Sequence, residues 1–144
     1  MGLYQRLLLI ADQTLHQSPA LLRAVALAKA SGAVLDVRAF VEPAPIVHVW
    51  EEKIDDAGYQ RYLRRYRRWE VEEVERLSGL GLEVTVKVVF TTHPLLDILN
   101  AVEDLKPDLL IKDVTLEPVL TRVFITPLDC HLLRECPIPV HLVN

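Results

Sequence analysis

The chain has 144 residues, of which 51% are hydrophobic and 25% charged, and its formal net charge is −4. That length and balance fit one globular domain with a full core and exclude a disordered chain. The acidic balance argues against a general nucleic-acid binder, and apolar runs of about five residues fall far short of the roughly 20 that a membrane span needs. Met1 leads directly into an apolar segment with no basic region or cleavage site, so no secretory leader is expected and the cytoplasm is the expected compartment.

Leu3 to Asp12 is an apolar run closing on an aspartate, the pattern of a buried parallel strand. Ser18–Pro19 then reads as a helix cap followed by proline at the first helical position, and Gly32 falls just past the helix end. Between them Leu21, Ala24, Val25 and Ala28 share one helical face. Ala33 to Val41 is a second strand. Glu42 to Trp50 is a loop with two prolines, where His48 and Trp50 are candidates for a lid or a contact surface.

A long helix is expected from about Glu51 to Leu80, with Tyr59, Tyr62, Leu63, Tyr66, Trp69, Val74 and Leu77 as its apolar stripe. It carries Arg61, Arg64, Arg65, Arg67 and Arg68 interleaved with tyrosines, a combination able to hold single-stranded nucleic acid by charge and stacking. A run of glutamates follows at once. Arg68–Glu72 and Glu72–Arg76 stand four apart, so a solvated, ion-paired face is the stronger reading.

Leu82 to Phe90 is a third strand, and Pro94 opens a third helix that ends before Pro107. His93 stands at that strand-to-helix junction, either facing a crevice or serving as a surface cap. Asp108 to Asp113 is a fourth strand, Val114 to Ile125 a long loop, Thr126 to Arg134 a last helix and Pro139 to Val143 a last strand. Alternating strands and helices predict a three-layer α/β/α domain over residues 1–144, with a five-stranded parallel sheet.

The chemistry in the sequence is sparse. Cys130 and Cys136 stand six apart, which matches neither a redox nor a zinc-ribbon spacing, so no metal is expected. No Ser–His–Asp, Cys–His or paired-carboxylate spacing supports a nucleophile or an acid–base pair, so catalysis is not expected.

This arrangement resembles the universal stress protein family along its whole length. The resemblance rests on the opening MGLYQRLLLIAD with its closing aspartate, the long second helix, and the ending FITPLDCHLLRECPIPVHLV. It implies a Rossmann-like fold of the adenine nucleotide alpha hydrolase kind and a role in the stress response. The opening and ending look most like a subtype that carries two such domains in tandem.

Many members of the family bind ATP through glycine, two residues, glycine, nine residues, then glycine with serine or threonine. Aligned from the shared ending, these positions fall here on Asp113, Leu116, Thr126 and Pro127. Glycine would let the backbone approach phosphate closely, whereas Asp113 and Glu117 place carboxylates there and Pro127 removes a helix N-terminal donor. Thr126 and Asp129 have the spacing of a capping box, which would answer the helix dipole internally. ATP and other cofactors are therefore not expected. Asp12 and Asp113 remain as the candidate ligand residues of a residual crevice at the strand ends.

The resemblance also implies pairing of last strands between two domains, here through Val140, Leu142 and Val143, as a homodimer or with a second domain of the same kind. The sequence itself says only that a short apolar edge strand needs a cover. The leading expectation is a non-enzymatic interaction module acting as a dimer, without membrane or nucleic-acid partners. The alternative is a ligand-binding domain with a modified crevice.

Overall fold

The structure, a computed structural model, describes residues 2–12, 18–43 and 56–144. Five strands form one parallel sheet: β1 (Arg6–Ala11), β2 (Val34–Val41), β3 (Val84–Phe90), β4 (Leu109–Asp113) and, at the end of the chain, a short strand over Val140–Val143. Two further strands, β5 (Leu116–Val119) and β6 (Arg122–Ile125), lie between β4 and that last strand, which is therefore β7. The sheet order is β3-β2-β1-β4-β7. The helices are α1 (Pro19–Ser31), α2 (Asp56–Ser78), α3 (Pro94–Leu105) and α4 (Pro127–Glu135).

Alternation along β1 sorts the core into two faces, because successive strand side chains point to opposite sides. Leu7, Leu9 and Ala11 pack with Leu35 and Val37 beneath Leu21, Ala24 and Ala28 of α1 and Leu77 of α2. Leu8, Ile10 and Leu110 face the other way, against Ile98 and Val102 of α3 and Leu132 of α4. The three-layer parallel architecture read from the sequence is thus the one observed.

The helix signals act as expected at α1. The Ser18 hydroxyl accepts from the Leu21 N–H at 3.3 Å, and Gly32 closes the helix at φ 68°, its N–H donating to the Ala28 carbonyl. The strand and helix limits lie within a few residues of those expected, except that the start of the long helix and the loop bearing His48 and Trp50 lie outside the described residues. Tyr59 departs from the expected stripe and is exposed, whereas Tyr66 is buried. Tyr66 stacks edge-on against Phe90 of β3 at 5.5 Å and against Tyr62 at 5.0 Å.

The stretch 114–125 corrects the sequence reading. It is an antiparallel hairpin, β5 with β6, not an irregular loop. All eight strand residues are exposed, and Leu120 at the tip has φ 58°. The hairpin leaves the sheet at the end of β4, where the Val114 N–H still donates to the Val143 carbonyl of β7.

Candidate functional site

Two places at the C-terminal ends of the strands are built for different chemistry. The first is the turn from β4 through the hairpin to α4, where a parallel α/β domain ordinarily receives phosphate on backbone N–H groups and a helix N-terminus. Here one protein carboxylate answers a backbone N–H of the turn. Asp129, in the first turn of α4, is 0% exposed, and its Oδ2 accepts from the Thr115 N–H at 2.7 Å. Its Oδ1 lies 2.8 Å from Lys112 Nζ, a charge contact whose direction is not that of an aligned hydrogen bond. The lysine sends its aligned bonds to the Asp113 carbonyl and to Thr115 Oγ1, both at 3.0 Å.

The expected capping box does not form. Thr126 makes no side-chain cap bond, and its N–H donates to the Thr115 carbonyl at 3.0 Å. Asp129 has turned toward Thr115 and Lys112, because pairing a buried carboxylate with a cation offsets its desolvation better than one more helix N–H would. Asp113 is likewise engaged. Its carboxylate accepts from the Ser18 hydroxyl and, at 2.8 Å, from the Ala20 N–H, so it caps α1 across the sheet. Lys112, Ser18 and Thr115 carry this network; the sequence marked Ser18 only as the cap of α1, and no spacing marked Lys112 or Thr115.

The second place lies on the β2 side of β1. A crevice of about 520 Å³ is bounded by Asp12 after β1, Ala39 of β2 and one face of α2, with Arg61, Arg64, Arg65 and Arg68 along its wall. Trp69 and Tyr66 supply its apolar floor and Glu72 its far end. The expected pairs of Glu72 with Arg68 and Arg76 are replaced by pairs three apart: Arg67–Glu70 at 2.8 Å and Arg76–Glu73 at 2.6 Å. Glu70 has a second duty, accepting the outward N–H of Val88 on the edge strand β3 at 2.8 Å. This anchors α2 beside the sheet and turns Arg67 away over Phe90.

The Tyr62 hydroxyl donates to the Glu42 carbonyl at 2.8 Å, tying α2 to the end of β2. Burial, with help from the neighbouring Tyr66, pushes the Tyr62 phenol up to about 12. Asp12 lines this crevice, while Asp113 faces α1 and His93 is an exposed residue capping α3 without a side-chain bond. Among the described residues no group of histidine, cysteine and carboxylate side chains is placed to hold a metal. No helix among them is long and apolar enough to cross a membrane.

At the sheet edge, the Pro139 carbonyl accepts from Leu110 of β4 and the Val143 carbonyl from Val114 just past its end. By strand alternation, the backbone groups of Val140 and Leu142 point outward. Val143 is buried with the α1 face of the core, so of the three expected edge residues it contributes packing rather than a free edge.

A parallel α/β sheet with a crevice at its strand ends, beside a turn where buried Asp129 contacts Thr115 and Lys112, defines a Rossmann-like α/β domain. The sequence model of the universal stress protein family matches residues 3–144, and the chain belongs to that family. It is 31% identical over 148 aligned positions to universal stress protein E of Escherichia coli K12, a match that covers 100% of this chain and 46% of that protein. The chain thus spans about half the length of the curated relatives it matches. Among solved structures, a universal stress family protein from Burkholderia pseudomallei superposes with a TM-score of 0.70 at 19% identity, covering 97% of this chain and 96% of that one. The Archaeoglobus fulgidus universal stress protein in complex with dAMP superposes with a TM-score of 0.63 at 12% identity, covering 98% of both. Both likenesses speak to the fold.

Proposed function

We propose that this stress-response domain acts in the cytoplasm as a non-enzymatic interaction module. It pairs with a second domain of its own kind and does not use ATP. The observation that carries this reading is the hairpin. Where a phosphate loop would lie, the chain projects an arm whose exposed side chains include Leu116, Val119, Val123 and Phe124, with Leu120 at the tip 98% exposed. A contiguous apolar projection of this kind is characteristic of contact surfaces. Leu120 also occupies the first central position of a two-residue turn with φ 58°, where glycine is favoured. Keeping a large apolar side chain there costs backbone strain, which suits a residue retained for contact.

The occupant we assign is a second copy of this domain. Curated relatives about twice as long have room for one in the same chain. The hairpin also leaves the sheet next to β7, whose outward backbone groups need a partner strand. The same turn supports the absence of ATP. The dAMP held by the Archaeoglobus protein shows that this fold can carry a nucleotide. Here Asp129 and Lys112 form a charge pair at 2.8 Å beside the helix end where phosphate would be received.

Sedimentation equilibrium tests the pairing with two variants that spare the monomer. Leu120→Gly removes the apolar tip and relieves the backbone. Leu142→Pro removes an outward N–H while leaving the inward bonds to β4 intact. The expected result is a wild-type dimer at micromolar concentration and a weakening of at least tenfold in each variant. A wild type that stays monomeric at 100 µM, or variants that dimerise as wild type does, would overturn the reading. Micromolar ATP binding by calorimetry would overturn its cofactor part.

A further inference from the structure

The free margin of β7 restricts how two copies can meet. Pro139 and Val143 turn their carbonyls toward the β4 side, and His141 lies beside Ile111 of β4. Within the strand only Val140 and Leu142 turn their N–H and C=O groups outward. A two-fold pair joins such edges antiparallel, and outward residues then exchange two hydrogen bonds per pair. The register that engages every outward group of the strand sets Val140 against Leu142 of the second copy, and Leu142 against its Val140. Registers centred on Val140 or on Leu142 engage fewer. The favoured register leaves His141 opposite its own counterpart on the two-fold axis, at a non-hydrogen-bonded position with Cα atoms about 4.5 Å apart. Pro139 falls opposite Val143, where no N–H is called for.

Strand alternation puts the His141 side chain on the α1 face with Val143 and Ile111, whereas Val140 packs on the α4 face. His141 is partly exposed and makes no hydrogen bond or ion pair among the described residues. The charged groups of the elements packed on β7 are turned elsewhere or are cationic. On β4, Asp113 shares the α1 face but is bound to Ser18 and Ala20, and Lys112 reaches to Asp129. On α1, Lys29 lies toward Gly81 and Glu83 at the β3 side, so Arg23, across the buried stripe, is the charge on the β7 flank. Helix α4, with His131, Arg134 and Glu135, covers the opposite face.

We infer that two copies pair in this register and that the facing His141 imidazoles make the pair proton-sensitive. Register and control both rest on the pairing proposed above. A free imidazole takes its proton near pH 6.5. Within the pair the charged form is opposed by a like charge directly across and by loss of water beneath the second strand. The separate copies therefore bind more protons, so pairing is full above about pH 6.5 and weakens as pH falls through that value. From pH 8 to pH 5.5 the weakening is about 100-fold if both protons are excluded and about fivefold if one is shared. Overall charge works the other way: a chain of net charge −4 sheds negative charge on acidification, which eases self-repulsion.

Sedimentation equilibrium at about pH 8, 6.5 and 5.5 and constant ionic strength tests it. The wild-type dimer is expected to weaken at least fivefold between the extremes. His141→Gln keeps its affinity within twofold throughout, and His131→Gln responds as wild type does. Circular dichroism at the lowest pH confirms that the separated copies are folded. Cross-linking reads the register directly. In a Cys130→Ser, Cys136→Ser background, His141→Cys joins two copies by a disulfide under mild oxidant, while Leu142→Cys, whose counterpart lies diagonally across, does not. A chain that stays monomeric at pH 8 overturns the pairing and the proton control together. A dimer indifferent to pH, a pH response that survives in His141→Gln, or cross-linking through Leu142→Cys in place of His141→Cys overturns only what is inferred here.

Discussion

Removing the Asp129 carboxylate tests whether the α4 end is held by an internal charge pair. In Asp129→Ala, Lys112, whose side chain is 11% exposed, loses its counter-ion and the Thr115 N–H loses its acceptor. Breaking a buried pair from one side costs about 3–5 kcal/mol, and an orphaned N–H alone about 1–3 kcal/mol. These terms overlap, and Lys112 keeps its bonds to the Asp113 carbonyl and Thr115 Oγ1, so the expected loss is near the lower bound, about 3–4 kcal/mol. For a domain of this size that lowers Tm by roughly 10–15 °C. Urea unfolding followed by far-UV circular dichroism measures it. Two further variants dissect the loss. Asp129→Asn keeps an acceptor for Thr115 and should lose less, and Lys112→Met in the Asp129→Ala background removes the stranded charge and should restore about 1–2 kcal/mol. A single-variant loss below about 1 kcal/mol, or no recovery in the double variant, would refute the argument that the pair closes this turn.

Two other predictions follow from charges elsewhere in the fold. Asp36 is fully buried on β2 between Arg6 at 2.6 Å and the Thr85 hydroxyl at 2.5 Å, with Arg38 close by; desolvation lowers the Arg38 guanidinium and the Asp36 charge partly restores it. Asp36→Ala should therefore destabilise by about 3 kcal/mol or more in urea unfolding, and a loss below about 1 kcal/mol would show that the arginines find water instead. Asp108 accepts the N–H groups of Gln5 and Arg6 at 2.7 and 3.0 Å, which hold its carboxyl below the usual range. A depressed folded-state pKa gives stability that is present above the unfolded value near 4 and is lost as pH falls through the folded one. The gap in stability between wild type and Asp108→Asn should accordingly shrink between about pH 5 and pH 3, and a constant gap would contradict the assignment.

The sheet and its helices were legible because each signal was local and agreed with its neighbours. Apolar runs such as Leu7 to Ala11 mark buried strands, and Ser18–Pro19 with Gly32 brackets a helix independently of the rest of the fold. The hairpin was not legible. Its turn uses Leu120 where a glycine or asparagine would have marked it, and Pro118 sits within a strand, a residue type usually confined to sheet edges. The α4 capping box had the right spacing, but spacing cannot show that a buried lysine 17 residues upstream competes for the same carboxylate. The arginine face was visible as a pattern. Its meaning depended on which carboxylates were taken, and Glu70 was drawn off by the Val88 amide of a distant strand.

That last contact bears on how large an assembly built from this sheet can become. A sheet with two open edges propagates, since every added copy exposes a new edge. Glu70 sits on the outward Val88 amide midway along β3, with α2 alongside, so this margin is obstructed at its centre. Addition of strands is left to the β7 margin, where Val140 and Leu142 point outward. In the proposed pair, two copies meeting edge to edge would consume both β7 margins, and the carboxylate beside β3 would obstruct further growth on the opposite side.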